Sequence, residues 1–454
     1  MTTVTPTART ASTATVAELL SRLGFPPSGP GPAWLTQARQ ASVEWATMRG
    51  FPTLKDEDWK YTRLGPLLDV PFERAEARAG RRVSSSTVEA LAIDATSIRL
   101  VFINGFFAPE LSSMTGVPDG VTVTNLASVL AEGGAGLEPF FSHPFGEHDH
   151  AFTAVNTALA EDGAFIQVAA DTLVTAPIEL VFLSDAQGSP VVSNPRSLIL
   201  AESGSRVAVV ETYAGTTGAV MCTNAVTQVA LGEGAQVEHY KIQDEPDTAF
   251  HLSLLDVRQG PDSRFSSGSV ELGSKIARNE VRVRLEGDGA DVAIDSLYLP
   301  FGDQHHDNPI LIEHAAPRCT SRQLYKGIAD DRGHGVFNGH IIVWPGAPGT
   351  DASQTNKNLL LSDHAEIDTR PRLEIFTDDV KCTHGAAVGA LDEEALFYLR
   401  SRGVPHEAAR ALLTYAFARE MLDLIPSESL RTHVETLVSA RLSSDGDGTG
   451  DTLR

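Results

Sequence analysis

Hydrophobic residues between about residue 98 and residue 389 fall in short runs of four to eight, rich in Val, Ile, Leu and Thr and separated by Gly, Asp, Asn and Pro. Runs such as VAVVETY, AVTQVAL, FHLSLLDV and EVRVRLEG are typical of β-strands. Almost no stretch of this zone has helical spacing, which argues against an alternating β–α sheet. The pattern predicts a mainly β zone, built as a sandwich, a barrel or a β-solenoid.

A recurring tetrad of turn, small, polar and β-branched residues favours the solenoid. It occurs at Gly204–Val207, Gly234–Val237, Gly289–Val292 and His364–Ile367, with starts 30, 55 and 75 positions apart. These spacings are close to one, two and three steps of about 25 to 30 residues, as expected when each coil repeats one unit. Many turn-to-strand junctions also have this composition, so the tetrad alone leaves the other β architectures open. A parallel β-helix fits it best.

Helical spacing appears at both ends of the chain. The segment AELLSRL is followed by a Pro/Gly break and by WLTQARQASVEWATMRG, which Gly50 ends. Helical spacing in this second segment connects Trp34, Ala38, Ala41 and Trp45. The N-terminal zone is therefore predicted to be α-helical.

Three further helices are predicted after Gly389. Asp392 caps the first helix, and Pro405 starts the second. An apolar stripe along the second helix consists of Leu413, Phe417, Met421 and Leu424. Ser427 or Ser429 caps a last helix that reaches Leu442. These helices could cover the end of a solenoid or serve as a docking module.

The predicted organisation has four parts. Residues 1–97 form an N-terminal helical region with a disordered start and a linker, and residues 98–390 form the β-helix core. Residues 391–442 form a C-terminal helical domain, and residues 443–454 a disordered tail.

Charge and cysteine content restrict the partners and the compartment. The 454 residues carry 36 Lys and Arg against 59 Asp and Glu, so a net charge of −23 argues against nucleic acid or an anionic membrane as a partner. Three scattered cysteines form no CxxC pair and fit a reducing compartment. No signal-peptide h-region or spanning apolar run is present. We therefore expect a cytoplasmic protein.

The segment KCTHGAAVG places a thiol and an imidazole two residues apart. In an extended strand Cys382 and His384 project from one face, with Thr383 on the other. Thiolate and imidazole ligands suit iron, zinc and iron–sulfur clusters. A free cysteine in a strand is equally often a small buried hydrophobic residue, so the role of Cys382 stays open.

Other histidines have acidic neighbours. One group consists of His305, His306 and His314, with Asp303, Asp307 and Glu313. This composition is compatible with iron or zinc binding, but we favour a polar turn between two coils. His143, His148 and His150 are predicted to be solvated in a loop, and His334 and His340 to face solvent or a neighbouring coil. The role of the first group is not determined by the sequence.

The chain resembles the SufB/SufD family of iron–sulfur cluster assembly proteins in six segments between residues 305 and 403: HHDN, IEHAAPRCTSRQLYKGI, VFNGHIIV, DASQTNKNLLLS, AEIDTRPRLEIFTDDVKCTHGAAVG and LDEEALFYLRSRG. Two earlier segments, DEDWKYTRL and VFINGFFAPELS, are also similar. The resemblance implies a right-handed parallel β-helix core flanked by N-terminal and C-terminal α-helical regions.

Within this family the chain resembles the SufD branch. SufB-like chains have His-Glu-Ala where this chain has His384-Gly385-Ala386, and they carry an upstream cysteine that residues 358–362 lack here. The resemblance implies a SufB-like partner, or a homodimer in isolation, and a SufC-like ABC ATPase bound through the C-terminal helices. His384 would then present a ligand to a transient iron–sulfur cluster or iron at the partner interface, with Cys382 as a possible second ligand.

The resemblance implies a scaffold subunit without catalytic residues. No bound nucleotide is expected, because the chain has no GxxxxGK(S/T) phosphate-binding loop. Two other classes stay open. A β-helix carbohydrate-active enzyme would use clustered charged residues such as Asp330, Asp331, Arg332 and His334. A purely structural interaction subunit is the other alternative.

Overall fold

The computed structural model describes residues 14–26, 31–76, 83–94, 98–142, 145–186, 188–216, 218 and 220–443. The predicted disordered start and the tail beyond residue 443 lie outside these residues, as do parts of the predicted linker.

Helices lie mainly before and after the strands. Those in the described residues are α1 (Val16–Arg22), α2 (Ala33–Arg49), α3 (Gly65–Leu68), α4 (Ser85–Leu91), α5 (Leu126–Ala131), α6 (Glu138–Phe141), α7 (Ala151–Leu159), α8 (Glu393–Ser401), α9 (His406–Leu422) and α10 (Glu428–Ser443), with 3-10 turns at Glu57–Trp59 and Pro109–Leu111. The predicted Asp392 cap is confirmed, since its side chain accepts hydrogen bonds from the amides of Glu394 and Ala395.

Most strands lie between α7 and α8. In chain order they are β1 (Glu73–Arg74), β2 (Ile98–Ile103), β3 (Phe106–Phe107), β4 (Val121–Asn125), β5 (Ala164–Val168), β6 (Ile178–Ser184), β7 (Val191–Ser193), β8 (Arg196–Ala201), β9 (Arg206–Gly215), β10 (Met221–Leu231), β11 (Gln236–Asp244), β12 (Phe250–Gln259), β13 (Arg264–Glu271), β14 (Ile276–Leu285), β15 (Asp291–Tyr298), β16 (His305–His314), β17 (Thr320–Ala329), β18 (His334–Val343), β19 (Thr350–Leu360), β20 (Glu366–Ile375) and β21 (Val380–Gly389). Each run named above as a strand coincides with one of them, although EVRVRLEG extends two residues beyond the end of β14.

The strands wind into a parallel β-helix, as predicted. Even-numbered strands from β8 to β20 pair in order to form the first sheet, and odd-numbered strands from β9 to β21 form the second. One coil takes 26 residues between the register partners Phe250 and Ile276 and 32 between His334 and Glu366. Val, Ile and Phe side chains of both sheets meet in one buried core between them. The right-handed winding stays a prediction.

The tetrad marks one corner of the solenoid. Residues with a positive φ between 54° and 76° recur where the coil enters the second sheet: Gly204, Gly234, Asp262, Gly289, Arg318 and Gly349. Glycine is favoured there because it adopts this conformation without a Cβ clash. The fourth tetrad was assigned wrongly, since Glu366 pairs with His334 in the first sheet. Its spacing of 75 residues therefore corresponds to about two and a half coils.

Helices cover the outer faces of both sheets. Helices α1, α2 and α7 pack with Trp59 and Phe72 against apolar residues of the first sheet such as Phe250 and Ile276. Helices α9 and α10 pack Met421, Leu422 and Val434 against the second sheet. The C-terminal helices thus lie along the side of the solenoid, and only part of the predicted stripe is buried, because Leu424 is exposed.

Helices α5, α6 and α7 interrupt the zone that the sequence predicts to be almost free of helix. Every residue of α7, AFTAVNTAL, is buried. A helix buried on all sides has no polar face, so helical periodicity does not reveal it. None of the helices in the described ranges has the length and apolar character needed to cross a membrane.

Candidate functional site

The last coil of the solenoid leaves two strands uncovered. Strand β20 pairs only with β18, and β21 only with β19, within the described residues. We call this surface the open end. Most residues of β21 are exposed, whereas the corresponding positions of β19 alternate between buried and half-buried. The segment KCTHGAAVG therefore lies at a surface rather than between coils.

His384 and Cys382 occupy one face of β21, as the strand pattern predicts. Their register partners on β19 are Gln354 and Ala352, both buried inside the solenoid. The Gln354 amide in turn donates a hydrogen bond to Gln323 at 2.8 Å. His384 thus continues an inward-facing column but is itself exposed, because no further coil covers it. An exposed imidazole is available to a ligand or a partner.

Cys382 is partly buried against an apolar cluster that includes Ile341, Val343 and Ala347. Burial raises the pKa of its thiol, and the nearby Asp351 carboxylate adds to the effect. A metal ligand must be a thiolate, and a raised pKa disfavours that form. Cys222 and Cys319 are buried and free, so neither is placed to reach a ligand at the surface.

His305 and His334 meet on the outer face of the first sheet, with their Nδ1 atoms 3.1 Å apart. His334 Nε2 lies 2.9 Å from Asp368 Oδ2. Ligand atoms of His334, Glu366 and Asp368 lie within 4.8 Å of one another. We call these four residues the outer histidine cluster. Burial and the neighbouring His334 hold the pKa of His305 well below its usual value.

The favoured polar turn at residues 303–314 is wrong, because the three histidines lie in strand β16. His306 is buried and bonds the Gly273 carbonyl oxygen, and burial lowers its pKa to about 3. His314 bonds Ser321 and has a pKa of about 4 for the same reason. Only His305 approaches other potential ligands.

A polar cleft of about 520 Å³ separates the N-terminal region from the outer face of the first sheet. Asp58 lies 3.9 Å from His148, and His340 lies 3.0 Å from Glu374. His148 was predicted to be solvated, but its side chain is half-buried. It does not form a separate site by itself. Its pKa is raised by interaction with Asp58. His143 lies outside the described residues.

Carboxyl groups of this cleft are ill-suited to glycoside hydrolysis. The interaction with His148 lowers the pKa of Asp58 to about 2. Burial would raise the pKa of Glu280, but the charges of Arg282 and His150 outweigh it and hold this pKa well below its usual value. A general acid needs the opposite shift. Of the predicted charged cluster, Arg332 forms a two-pronged ion pair with Asp303 on the surface.

Polar groups also lie inside the solenoid, which the strand pattern did not reveal. Lys241 Nζ hydrogen-bonds His251, Ser253 and Asn279 at 2.5–2.8 Å. Burial lowers the pKa of Lys241 to about 8 and raises that of Glu271 to about 7. These shifts indicate an interior that is poorly solvated.

Comparisons with known proteins match almost the whole chain. Residues 182–417 match the family model described as SUF system FeS cluster assembly, SufBD core domain, and residues 31–180 match the SufBD protein N-terminal region. An iron–sulfur cluster assembly SufBD family protein of Synechocystis sp. is 33% identical over 91% of this chain and 92% of its own length.

Two relatives carry the name iron–sulfur cluster assembly protein SufD. The one from Escherichia coli is 33% identical over 89% of this chain and 92% of its own length. The one from Bacillus subtilis is 26% identical over 90% and 94%. The chain belongs to the SufB/SufD family.

Membership of the SufB/SufD family agrees with the resemblance of the individual segments. The structure brings His384 and Cys382 to one face of β21, as the strand pattern predicts, and places that strand at the open end. It does not bring His306 or His314 to either of them. The outer histidine cluster was missed because its members lie 29 to 34 positions apart along the chain. A separation of about one coil length is the signal that could have placed these residues on neighbouring strands.

Three buried asparagines of the last coils do not form one stack. Asn358 donates to Asn356 within β19, at 2.6 Å. Asn338 lies on the first sheet and donates to Asp58.

Proposed function

We propose that this chain is a SufD-like scaffold subunit for iron–sulfur cluster assembly, presenting His384 as a ligand at an interface with a SufB-like partner. The exposure of His384 on the uncovered last strand carries this proposal. A neutral imidazole ligates iron through a ring nitrogen, and the cluster or iron is cargo that passes on. The subunit has no catalytic residue of its own and acts in the cytoplasm.

The sequence of β21 supports a partner at the open end. A Cβ added at Gly385 or Gly389 would meet no atom within 4 Å, and neither glycine has a positive φ. Nothing within the described chain therefore requires glycine there. Close approach of another backbone is one reason for glycine in a strand. A SufB-like paralogue, or a second copy of this chain in isolation, would supply that backbone and the remaining ligands.

Cys382 contributes packing rather than a ligand in this proposal. Its contacts with the apolar cluster and the raised pKa of its thiol support that role. A second ligand or a sulfur relay is the competing role, and the variants below separate the two.

The C-terminal helices are proposed to hold a SufC-like ABC ATPase. Four large apolar side chains are exposed on α8, on α9 and just beyond it: Phe397, Tyr398, Leu412 and Leu424. Grouped exposed apolar side chains favour a protein partner. Helices α9 and α10 also cover the second sheet, so deleting them would damage the fold. Substitution of Phe397 and Leu412 by Ala is the sharper test, and unchanged ATPase recruitment would contradict this docking surface.

His384→Ala tests the ligand role in the complex co-expressed with the SufB-like and SufC-like partners under anaerobic conditions. We expect iron and acid-labile sulfide to fall at least about tenfold while the partners still co-purify, because one ligand is lost and no packing changes. Wild-type iron and sulfide content would contradict the proposal.

Two neighbouring variants serve as controls. Thr383→Ala changes the other face of the same strand and is expected to retain the cluster. Cys382→Ser is expected to retain it if the thiol only packs. A loss in Cys382→Ser equal to that in His384→Ala would show that the thiol ligates or relays sulfur.

A further inference from the structure

We propose that His334, Glu366 and Asp368 form a binding site for one divalent transition-metal ion on the outer face of the first sheet. This site is separate from His384 and does not depend on the proposed scaffold function.

Coil register places the ligands together. His305, His334 and Glu366 are successive register partners on β16, β18 and β20. Asp368 follows Glu366 by two positions and so lies on the same face of β20. The three ligand atoms lie within 4.8 Å of one another, a separation that one ion can bridge. Parallel pairing over several coils fixes these positions before any ion arrives.

Hydrogen bonds behind the site determine which ring nitrogen of His334 is free. The Thr62 hydroxyl donates its only proton to Asp307, so His305 Nε2, at 2.9 Å, must donate to Thr62. With its ring proton on Nε2, His305 has Nδ1 free to accept a hydrogen bond. His334 Nδ1 must then be the donor in the pair at 3.1 Å. His305 is therefore a positioning residue.

This arrangement aims the other nitrogen of His334 at a carboxylate. With a proton on Nδ1, a neutral His334 presents the lone pair of Nε2 to Asp368 Oδ2 at 2.9 Å. Two acceptors at that distance repel each other unless a cation lies between them. A metal ion bound by both atoms would supply that charge. Histidine ligands in metal sites are held by such a bond from their other nitrogen.

The carboxylates are not neutralised by basic side chains. In the described part of the chain, no lysine or arginine forms an ion pair with Glu366 or Asp368. The nearby Arg332 is bound to Asp303. His334 alone faces two negative charges, so a divalent cation would complete the charge balance.

The ligand set indicates the class of metal. One imidazole and two carboxylates, half-buried to exposed, suit Fe²⁺, Mn²⁺, Co²⁺ or Zn²⁺, with water completing the coordination. A soft ion such as Cu⁺ would require sulfur ligands, which are absent from this group. Ca²⁺ would favour more oxygen ligands.

The experiment uses the full-length chain, freed of metal with a chelator and titrated anaerobically. Co²⁺ binding is followed by its visible spectrum, and Fe²⁺ binding by calorimetry. We expect one site per chain in the wild type. Asp368→Asn and Glu366→Gln are expected to weaken binding at least about tenfold each, because each removes a charged ligand without changing shape. Both side chains lie on an edge strand, and the melting temperature without metal checks that the fold is kept.

Asp363→Asn is the matched control, since it removes one exposed carboxylate from the turn before β20 and leaves the ligands and the Arg332–Asp303 ion pair intact. It is expected to bind as the wild type does. His305→Gln tests positioning and should weaken binding about tenfold while keeping one site. Absence of binding by the wild type, equal losses in Asp363→Asn and Asp368→Asn, or binding lost in His384→Ala but kept in Asp368→Asn would each overturn the proposal. None of these results bears on cluster content in the complex, so the two proposals fail independently.

Discussion

The two ends of the solenoid are built differently. At the first end the antiparallel strands β3 and β4 pair with β2 and β5, and helices α2, α5 and α6 pack Leu35 and Leu130 beside the first sheet. At the open end strands β20 and β21 carry no further strand. Stacked repeats need a cover at each end. The described residues cover only the first end, which supports the proposal that a partner binds the other.

A buried carboxylate organises the first end. Asp162 accepts hydrogen bonds from the amides of Phe107 and Ala127 and from the Asn125 side chain, at 3.0–3.1 Å. It thereby joins β3, β4 and α5 to the start of the first coil. No buried carboxylate joins several elements in this way among the described residues of β21, whose side chains are mostly exposed.

The two strands of the open end also differ from each other. Strand β20, EIDTRPRLEI, has charges and Pro371, which discourage pairing at a free edge. Strand β21 has the small, uncharged segment GAAVG. Partner binding is thus expected to centre on β21, with β20 protected against unspecific strand addition.

Loss of packing at the first end should cause the largest change in stability. Phe141→Ala removes a buried ring of α6 that lies 5.6 Å from the ring of Trp34, centroid to centroid. We expect about 3–5 kcal/mol of destabilisation from lost burial and the cavity that remains. Urea unfolding of the full chain measures it. Val388→Ala at the open end serves as comparison and should change stability by less than about 0.5 kcal/mol. Equal effects at the two ends would contradict the asymmetry.

The pH dependence of stability can test how far water reaches the interior of the solenoid through the open end. Burial raises the pKa of Glu271 to about 7 from its ordinary value of 4.5. The folded state then binds a proton that the unfolded state has released between pH 4.5 and 7, so stability falls as pH rises through that window. The loss is up to about 3 kcal/mol.

Glu271→Gln should remove this loss. Melting temperatures from pH 4.5 to 8 should decline less for the variant than for the wild type, with the largest difference above pH 7. Asp303→Asn, at an exposed carboxylate, provides the control with an unchanged decline. Parallel profiles for wild type and Glu271→Gln would mean that water enters from the open end and restores an ordinary pKa.

Much of this architecture is encoded locally. The strand runs, the Gly50 stop and the Asp392 cap depend on neighbouring residues and were predicted correctly. The helical spacing of Trp34, Ala38, Ala41 and Trp45 predicted helix α2 correctly, but it did not indicate the buried residues, which are Leu35, Ala38, Ser42 and Ala46. Tryptophan at a surface boundary is large enough to pack without being enclosed, which periodicity alone does not distinguish.

Features that depend on distant residues were not predictable in this way. The cleft joins Asp58 to Arg372, and the outer histidine cluster requires the exact register of three coils. A shift of one residue would turn His334 to the other face of the sheet. The position of His384 was predictable as a strand residue, but its exposure depends on where the solenoid stops.

A charge at the open end should affect binding without affecting the fold. Val388→Lys places an ammonium group at a position that is 43% exposed in the free chain. We expect association with the SufB-like partner to weaken at least tenfold, about 1.4 kcal/mol, because the charge would be buried there. Leu173→Lys is the matched control at another exposed apolar residue. Calorimetric titration measures both, and equal affinities would place the interface elsewhere.

The smallest effect is expected at the protected strand. Pro371 pairs in register with Gly339 and lacks an amide proton, so it removes a donor from the free edge of β20. Pro371→Thr would restore the donor and add a residue that favours strands. Stability should change by less than about 0.5 kcal/mol, whereas self-association in sedimentation velocity at increasing concentration should rise several-fold. The double variant Pro371→Thr with Val388→Lys shows which edge strand, β20 or β21, makes the self-association contact. Self-association that persists in the double variant identifies β20 as the new contact, and unchanged behaviour of Pro371→Thr would show that the charges alone protect this edge.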